Sequence, residues 1–405
     1  MESLTAETKG GTEAQTVGEA VRAWCRGGQE QARRTKEAAL QAAVDGALAK
    51  VLGQPRGKRN PALSPWACPR CGERRGDQLR RNGHYRRQVL IVEGVVHMRM
   101  PQLVCVDCRK SVPVSHPLIA PRQRIGPDIE QHIACLYLEG CSYRATRRLL
   151  ERDCRSSIGL MSIWRRFQSI GRRPHKVPTH PPSRYLFLDE VYHKVRGKGR
   201  WLLCVRGRDE QGGLHWIGFA VSEDRSQAAW EAALDELGIS RYNPPFAVVS
   251  DGDRAIEEAL KKCLPGVKLY RCTWHLKHNA AEWIRERYPR AEDEGQRKGL
   301  MAAVHSIVDA PSLSQRAESM AVLRDTFSWL ADALARALDR IPVRSDEHPI
   351  RTNNAMERGF REQRRRTRPM DGFGSDDGIK NFIFLWMLKE NARVNGRDFL
   401  PELVA

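Results

Sequence analysis

The chain has 405 residues, and its 68 Lys and Arg against 49 Asp and Glu give a formal net charge of +19. A cationic excess of this size indicates a polyanionic partner such as nucleic acid, and an apolar content of 41% excludes wholesale disorder. Residues 1–5 lack the apolar core of a signal peptide, and the apolar run 382–388 is too short to cross a bilayer. We therefore expect a cytoplasmic, nucleoid-associated protein that has no membrane partner and uses its cysteines for purposes other than disulfides.

The first 60 residues are predicted to form a tail and one helix. Glycine pairs at 10–11 and 27–28 are typical of tails and linkers. The Ala-rich segment 29–52 repeats apolar residues such as Val44 and Leu48 at helical spacing. No function follows from this region.

Residues 61–120 contain two Cys-x-x-Cys knuckles around a predicted hairpin that turns at Glu93-Gly94. Four thiolates from two knuckles suit a tetrahedral Zn²⁺, and a small β module without a large core gains stability from such a metal. We predict a zinc ribbon with structural Zn²⁺. The alternative is four unrelated buried cysteines. Arginines around the knuckles make DNA its expected partner. The predicted zinc ligands are Cys68, Cys71, Cys105 and Cys108.

Residues 121–173 carry three amphipathic segments with the spacing of a helix-turn-helix domain. The first is expected to end at Glu139-Gly140, and Ser142 is the expected cap of the second. A basic three-helix bundle that only packs is the alternative. The residues predicted to face inward are Ala145, Leu149, Ile163, Trp164 and Phe167. The arginines left outside, as candidate DNA contacts, are Arg144, Arg147, Arg148, Arg165 and Arg166.

The proline-rich segment 174–183 is predicted to be a linker. After it come two apolar stretches, each of which ends in a carboxylate. The stretch 184–188 leads to Asp189, and 246–250 leads to Asp251. If both stretches are neighbouring strands, the side chains of Asp189 and Asp251 lie side by side. Carboxylates ~4 Å apart repel by about 4 kcal/mol at an effective dielectric constant near 20. Such a pair persists when it is protonated, separated by water or bound to a hard cation such as Mg²⁺.

The segment 184–270 predicts the element order βββαβαβ, with three consecutive antiparallel strands at its start. This is the order of an RNase H-like domain, in which the first and fourth strands are neighbours. We assign that domain to residues 184–395, with a helical insertion at about 280–345 that we expect to pack on the sheet. A further helix is expected to begin after this insertion, capped by Thr352 or Asn353, and to stop at Pro369. The fold prediction is thus a multidomain chain in which a zinc ribbon and a helix-turn-helix precede an α/β catalytic domain.

Four short motifs in this order resemble the Mutator-like DDE transposases, and within them the bacterial insertion-sequence branch. The resemblance spans about 184–390. The four motifs in this order are more specific than any one of them alone. The motifs are Leu188-Asp189-Glu190, Ser250-Asp251-Gly252, Cys272-Thr273-Trp274-His275 and Asn354-Ala355-Met356-Glu357.

The resemblance implies a catalytic triad of Asp189, Asp251 and Glu357 that holds Mg²⁺ or Mn²⁺ for two-metal-ion phosphodiester hydrolysis and transesterification. It implies that water first frees a 3′-OH at an element end and that this hydroxyl then attacks target DNA. The expected partners are double-stranded DNA, as terminal inverted repeats and as target, and further copies of the chain. Cys272 and His275 offer too few ligands for a closed zinc site, so we interpret them as a structural motif. Basic residues on the face that continues from Glu357 are candidate phosphate contacts: Arg361, Arg364, Arg365 and Arg368.

Simpler interpretations remain open for each acidic residue. Asp251 can be a turn residue or a helix cap, Asp253 can cap the next helix and be mistaken for Asp251, and Glu357 near a helix start can complement the helix dipole. The arginine face can be a solvated surface. At the level of function, the alternatives are a non-catalytic DNA-binding regulator and a structure-specific nuclease of the same fold.

Overall fold

The computed structural model of the protein describes residues 10–52, 63–119, 121–154, 157–172, 183–343, 350–370, 372–397 and 399, with side chains described from residue 27. The chain divides into two compact units, 1–170 and 171–403. The predicted linker 174–183 lies outside the described residues except for Ser183. None of the helices in the described ranges combines the length and the hydropathy that a membrane span requires.

The first unit consists of a long helix, a three-stranded antiparallel sheet and three shorter helices. The sheet order is β1-β2-β3, and the pair Ile91 and Gly94 closes the predicted hairpin through a two-residue turn. The elements are α1 (Gly10–Leu52), β1 (Leu79–Ile91), β2 (Gly94–Cys105), β3 (Ser111–Pro113), α2 (Pro127–Leu138), α3 (Tyr143–Cys154) and α4 (Leu160–Gly171), the last of which crosses the boundary between the units.

Helix α1 runs without interruption through Gly27 and Gly28, so the predicted linker at that pair is wrong. Val44, Leu48 and Val51 are buried in one hydrophobic cluster with residues of the sheet. Each glycine in a helix costs about 1 kcal/mol relative to alanine, whereas each buried Val or Leu stabilises by roughly 1.5–3 kcal/mol. The ribbon therefore has a larger apolar core than its own sequence suggested, because α1 contributes to it.

The three predicted helices between 126 and 171 are present, and Ile163 and Phe167 of α4 are buried as predicted, but other inward positions differ from the prediction. Ser142 Oγ accepts a hydrogen bond from the Ala145 amide at 3.2 Å, as expected of a cap. The buried positions of α3 are one residue further on than predicted, at Thr146, Leu150 and Cys154. Trp164 of α4 is 38% exposed rather than buried. Residues 145/149 and 146/150 have the same spacing, so periodicity alone could not decide which pair faces inward.

The second unit contains a five-stranded sheet with the order β6-β5-β4-β7-β8. Strands β4, β5 and β6 pair antiparallel, while β7 is parallel to β4 and β8 is parallel to β7. This confirms the predicted RNase H-like strand order, with the first and fourth strands adjacent. The elements are β4 (Tyr185–Val195), β5 (Lys198–Arg208), β6 (Leu214–Ser222), α5 (Gln227–Glu236), β7 (Ala247–Ser250), α6 (Arg254–Cys263), β8 (Lys268–Arg271), α7 (Thr273–Arg287), α8 (Glu294–Val308), α9 (Leu313–Leu338), α10 (Asn354–Thr367) and α11 (Asp376–Val394).

Strand β4 continues for six residues beyond Asp189, so the prediction that it ends there is wrong. The pairing of β4 with β7 does end before Asp189, and the last matched pair is Phe187 and Val249. The other edge of β4 stays paired with β5 as far as Val195 and Lys198, which keeps the strand extended. Asp189 and Asp251 thus each lie two residues past the last parallel pair.

The helical insertion begins with α7 and has a hydrophobic cluster of its own. Met320, Leu323, Leu330 and Leu334 of α9 pack there with buried residues of α7 and α8, not on the sheet as we expected. Phe327 has non-helical backbone angles that bend α9 within the predicted stripe.

Candidate active site

Asp189 and Asp251 extend from neighbouring parallel strands at the same edge of the sheet. Asp189 is only 9% exposed. An Oδ1 of Asp251 accepts a hydrogen bond from the Asp253 amide at 2.8 Å, and Asp253 in turn caps α6 by accepting from the Ala255 amide at 2.7 Å. The capping role that the sequence left open between these acids therefore belongs to Asp253.

The carboxyl of Asp189 lies in an electrostatic environment that opposes its ionisation. Burial raises its pKa to about 8, and the neighbouring negative charges of Asp251 and Glu190 add to that rise. A divalent cation at this position would offset the same repulsion and favour the carboxylate. The donor set therefore fits a hard cation, which prefers oxygen ligands.

Asn353 binds Asp189 directly, and sequence analysis did not identify it. Its side-chain amide is buried and donates to Asp189 Oδ2 at 3.0 Å and to the Leu188 carbonyl at 3.1 Å. Asn353 occupies the cap position of α10 but makes no side-chain capping bond, so the predicted capping role is wrong. The pattern of an Asn before a helix predicts a cap equally well, and only the tertiary contact distinguishes the two uses.

Glu357 lies in the first turn of α10 and pairs with His275 of α7. Nε2 of His275 is 3.5 Å from Oε1 of Glu357. Burial alone would lower the pKa of His275, but contacts with Cys272 and Glu357 outweigh it and raise that pKa to about 10. The hydrogen bond from His275 lowers the pKa of Glu357 despite its partial burial. The two side chains therefore form an ion pair at neutral pH.

Three contacts position the first half of α10, two with the sheet and one with α7. Arg206 of β5 is buried and donates to the Ala355 carbonyl at 2.5 Å. A Cβ at position 359 would collide with the ring of Trp216, so Gly359 permits this close approach. Cys272 Sγ accepts from the Asn353 amide at 3.2 Å, which ties the start of α7 to the start of α10. The Cys-x-x-His motif thus contacts Glu357 of the Asn-x-x-Glu motif through His275, and through Cys272 it contacts Asn353, the residue before that motif.

The three candidate carboxylates do not close into one compact ligand set. Among the described residues, the one group of three or more potential ligands whose atoms all lie within 4.8 Å of one another is that of the four cysteines. Asp189 and Asp251 are neighbours, whereas Glu357 is held on His275. A site that holds two ions about 3.5–4 Å apart needs ligands that are more widely spaced than those of a single ion. The spacing of these three carboxylates therefore does not argue against a two-ion site.

Glu190 is an acidic residue next to Asp189 to which the sequence assigned no role. Its side chain is 5% exposed and lies 2.9 Å from Arg225, and burial raises its pKa. The ion pair with Arg225 explains how this carboxylate is accommodated next to Asp189.

The predicted basic residues are on the surface, and some already have acidic partners. Arg361, Arg364, Arg365 and Arg368 are all exposed on or just after α10. In the first unit Arg147 pairs with Glu151 at 2.8 Å and Arg166 approaches Glu130 at 3.5 Å. The other candidate arginines, Arg144, Arg148 and Arg165, are exposed.

The four predicted zinc ligands converge. Sγ atoms of Cys68 and Cys108 are 3.4 Å apart, and those of Cys71 and Cys105 are 3.6 Å apart. Thiolates that share a tetrahedral ion at ~2.3 Å lie roughly 3.8 Å from one another, so these cysteines fit Zn²⁺. All four are free of disulfides.

Two solved structures show a limited likeness to this chain. The HTLV-2 integrase catalytic core domain in complex with magnesium is 10% identical, covers 33% of this chain and 88% of its own, and has a TM-score of 0.17. A simian T-cell lymphotropic virus intasome in complex with the PP2A regulatory subunit B56 gamma is 10% identical, covers 45% and 70%, and has a TM-score of 0.18. At these TM-scores neither supports a conclusion, so the fold is assigned from its own strand order.

The chain is similar in sequence to transposases of bacterial insertion sequences. It is 25% identical over 322 residues to the transposase for IS406 of Burkholderia multivorans, covering 75% of this chain and 79% of the relative. It is 24% identical over 373 residues to the transposase for ISRM5 of Rhizobium meliloti, covering 88% and 86%. It is 21% identical over 326 residues to the transposase for IS256 in Tn4001 of Staphylococcus aureus, covering 76% and 80%. The model of the Mutator family of transposases matches residues 62–392, and the chain therefore belongs to that family.

Proposed function

We propose that the protein is a DDE transposase that binds the terminal inverted repeats of its element and catalyses metal-dependent cleavage and strand transfer of DNA. The observation that supports this most is the bond between Asn353 and Asp189. Asn353 immediately precedes α10, and its carbonyl accepts a hydrogen bond from the Glu357 amide at 3.2 Å, so the two residues are one turn apart. The bond that brings Asn353 to Asp189 thus directs Glu357 toward the edge of the sheet where Asp189 and Asp251 meet.

In this proposal Asp189, Asp251 and Glu357 would hold two Mg²⁺ or Mn²⁺ ions. When bound, such ions activate the attacking hydroxyl and stabilise the leaving oxygen. His275 keeps Glu357 ionised and oriented, and Asn353 orients one oxygen of Asp189. The exposed arginines of α10 bind the phosphates that flank the reacting bond.

DNA recognition belongs to the first unit in this proposal. Its ribbon, held by structural Zn²⁺, and its three helices present arginines to double-stranded DNA at the element ends. The net charge of +19 supports a large phosphate contact area. We propose that the protein works as a homo-oligomer on DNA, because two ends of one element have to be joined to one target.

The test uses a duplex with the inverted repeats that flank the gene, a target plasmid, and Mg²⁺. The variants Asp189→Asn, Asp251→Asn and Glu357→Gln are expected to lose roughly a thousandfold in cleavage rate, which corresponds to about 4 kcal/mol of transition-state stabilisation, while they still bind the repeat. Matched controls are Asp253→Asn, which keeps a capping side chain, and Glu362→Gln on the same helix as Glu357. Both controls are expected to stay within a few fold of the unmodified protein.

Each alternative function has its own outcome in this experiment. Binding without any metal-dependent cleavage by the unmodified protein would identify a regulator. Cleavage of branched DNA without joining to the plasmid would identify a nuclease. Equal losses in the control variants would contradict the assignment of the three carboxylates.

A further inference from the structure

A basic cavity in the first unit lies outside every site described so far. It has a volume of about 950 Å³ and lies between the β1–β2 hairpin and the segments 113–115 and 121–124. That volume is at the upper end of the ~300–1,000 Å³ typical of ligand pockets. The residues that line it include Trp66, Tyr85, Arg86, Arg87, Arg122 and Arg124, and none of its described lining residues is acidic.

The charges around the cavity favour an anionic occupant. Arg86, Arg122 and Arg124 are exposed, and Arg87 is half-buried with its guanidinium donating to the Gln123 carbonyl at 2.8 Å. Arg86 is directly opposite Arg99 in the β1–β2 ladder. Like charges at such a position destabilise a sheet, and a bound phosphate would remove that penalty.

The cavity also offers aromatic and apolar surface. The indole nitrogen of Trp66 donates to Ser115, at 3.2 Å to its carbonyl and at 3.1 Å to its hydroxyl, and only 5% of the residue is exposed. Trp66 therefore belongs to the wall, and Tyr85 is the ring available for stacking. Tyr85 is 39% exposed at the same site. A groove that combines cations with aromatic rings is the usual arrangement for single-stranded nucleic acid, where phosphates bind the cations and bases stack on the rings. A duplex keeps its bases stacked inside, so its base faces cannot enter such a concave site.

We propose that this cavity binds an unpaired strand of DNA. The proposal goes beyond strand transfer by the acidic residues of the second unit, because it assigns a second nucleic-acid site to the ribbon. It also does not depend on those residues, since the cavity is formed entirely within the first unit.

The test measures binding of a fluorescent thymidine oligonucleotide to the full chain by anisotropy, without added Mg²⁺ so that catalysis plays no part. The double variant Arg86→Ala, Arg124→Ala is expected to weaken binding about tenfold and to reduce the salt slope by about 1.4, since each phosphate contact to a single strand contributes roughly 0.7. The matched control, Arg80→Ala with Arg81→Ala, removes two exposed arginines from the same strand but away from the cavity. It is expected to change binding much less.

Two further measurements separate a binding defect from misfolding. Arg122 has a φ of 63°, a backbone conformation that glycine adopts more easily, so Arg122→Gly removes a cavity charge without straining the fold. It is expected to weaken binding of the oligonucleotide and not to lower the melting temperature. An oligonucleotide carrying 5-iodouracil is expected to crosslink to Tyr85.

Three results would overturn the proposal. Equal losses in the cavity and control variants would mean that only the overall charge matters. Crosslinks that fall outside the lining segments would place the strand elsewhere. Displacement of the oligonucleotide by an equal concentration of thymidine monophosphate would show a site for a small phosphate ligand.

Discussion

His275 Nε2 and Glu357 Oε1 lie 3.5 Å apart, and this contact joins the first turn of α7 to the first turn of α10. The imidazolium keeps the carboxylate ionised, and Cys272, three residues earlier, accepts a hydrogen bond from the backbone of Asn353. The Cys-x-x-His motif therefore contacts both Glu357 and the residue at which α10 is capped, and these two contacts position Glu357. His275 is a positioning residue in this account.

Replacing His275 by Gln is expected to slow DNA cleavage by about 10- to 100-fold, since a hydrogen bond to a charged group contributes roughly 1.5–3 kcal/mol. The same change should raise the Mg²⁺ concentration needed for half-maximal rate, because Glu357 loses the contact that orients it. His275→Lys, which keeps the positive charge, should recover part of the loss. His278→Gln is the control, one turn away and exposed. Equal effects at both histidines would contradict the positioning role.

Replacing Asn353 by Ala is expected to lower the free energy of unfolding by about 1–3 kcal/mol, because Asp189 Oδ2 and the Leu188 carbonyl lose a buried donor. Urea denaturation of the full chain measures this change. Asn243→Ala is a surface control and should stay within about 0.5 kcal/mol. No difference between the two variants would show that the Asn353 contacts contribute nothing to stability.

The stability of the metal-free protein should carry a component from Asp189 that decreases as pH rises. The folded protein holds the Asp189 proton up to a pKa of about 8, whereas the ordinary value of this group is 3.8. The folded state thus binds more protons between these values, and stability from this group is lost as pH rises through 8. Mg²⁺ should therefore raise the melting temperature more at pH 8 than at pH 5. Asp189→Asn should make the rise in melting temperature with Mg²⁺ equal at the two pH values. An unchanged difference between pH 5 and pH 8 in this variant would contradict the role of Asp189.

Zinc analysis of the purified protein should find about one ion per chain. Cys71→Ser is expected to lose it, while Cys141→Ser, a partly buried cysteine outside the cluster, should retain it. Because α1 supplies apolar core to the ribbon, metal removal should expose the two knuckles to proteolysis near 68–75 and 105–110 and change the helical circular dichroism little. Retention of zinc by Cys71→Ser would contradict the ligand set.

The order of elements in the second unit was predictable, since each strand and helix has a clear periodicity. The lengths of the strands were not. Asp189 interrupts an apolar run, so a strand end is the simplest prediction, yet pairing with β5 continues the strand to Val195. Hydrogen bonds to a partner strand do not depend on the apolar pattern, and therefore they are invisible to periodicity.

Contacts between side chains distant in sequence account for the rest of what the sequence could not predict. Asn353 has the residue type and position of a helix cap, but it binds Asp189, 164 residues away. Trp164 has the spacing of a core residue, but it is 38% exposed. The four cysteines were predictable because zinc dictates both the ligand type and the paired spacing.

The central claim is that Asp189, Asp251 and Glu357 jointly hold divalent ions, and the most direct measurement is affinity cleavage with Fe²⁺ in place of Mg²⁺. Radicals formed at the bound iron should cut the backbone near all three residues, and excess Mg²⁺ or the change Asp189→Asn should suppress every cut. Cuts confined to other parts of the chain, or cuts near these residues that Asp189→Asn leaves unchanged, would contradict the account.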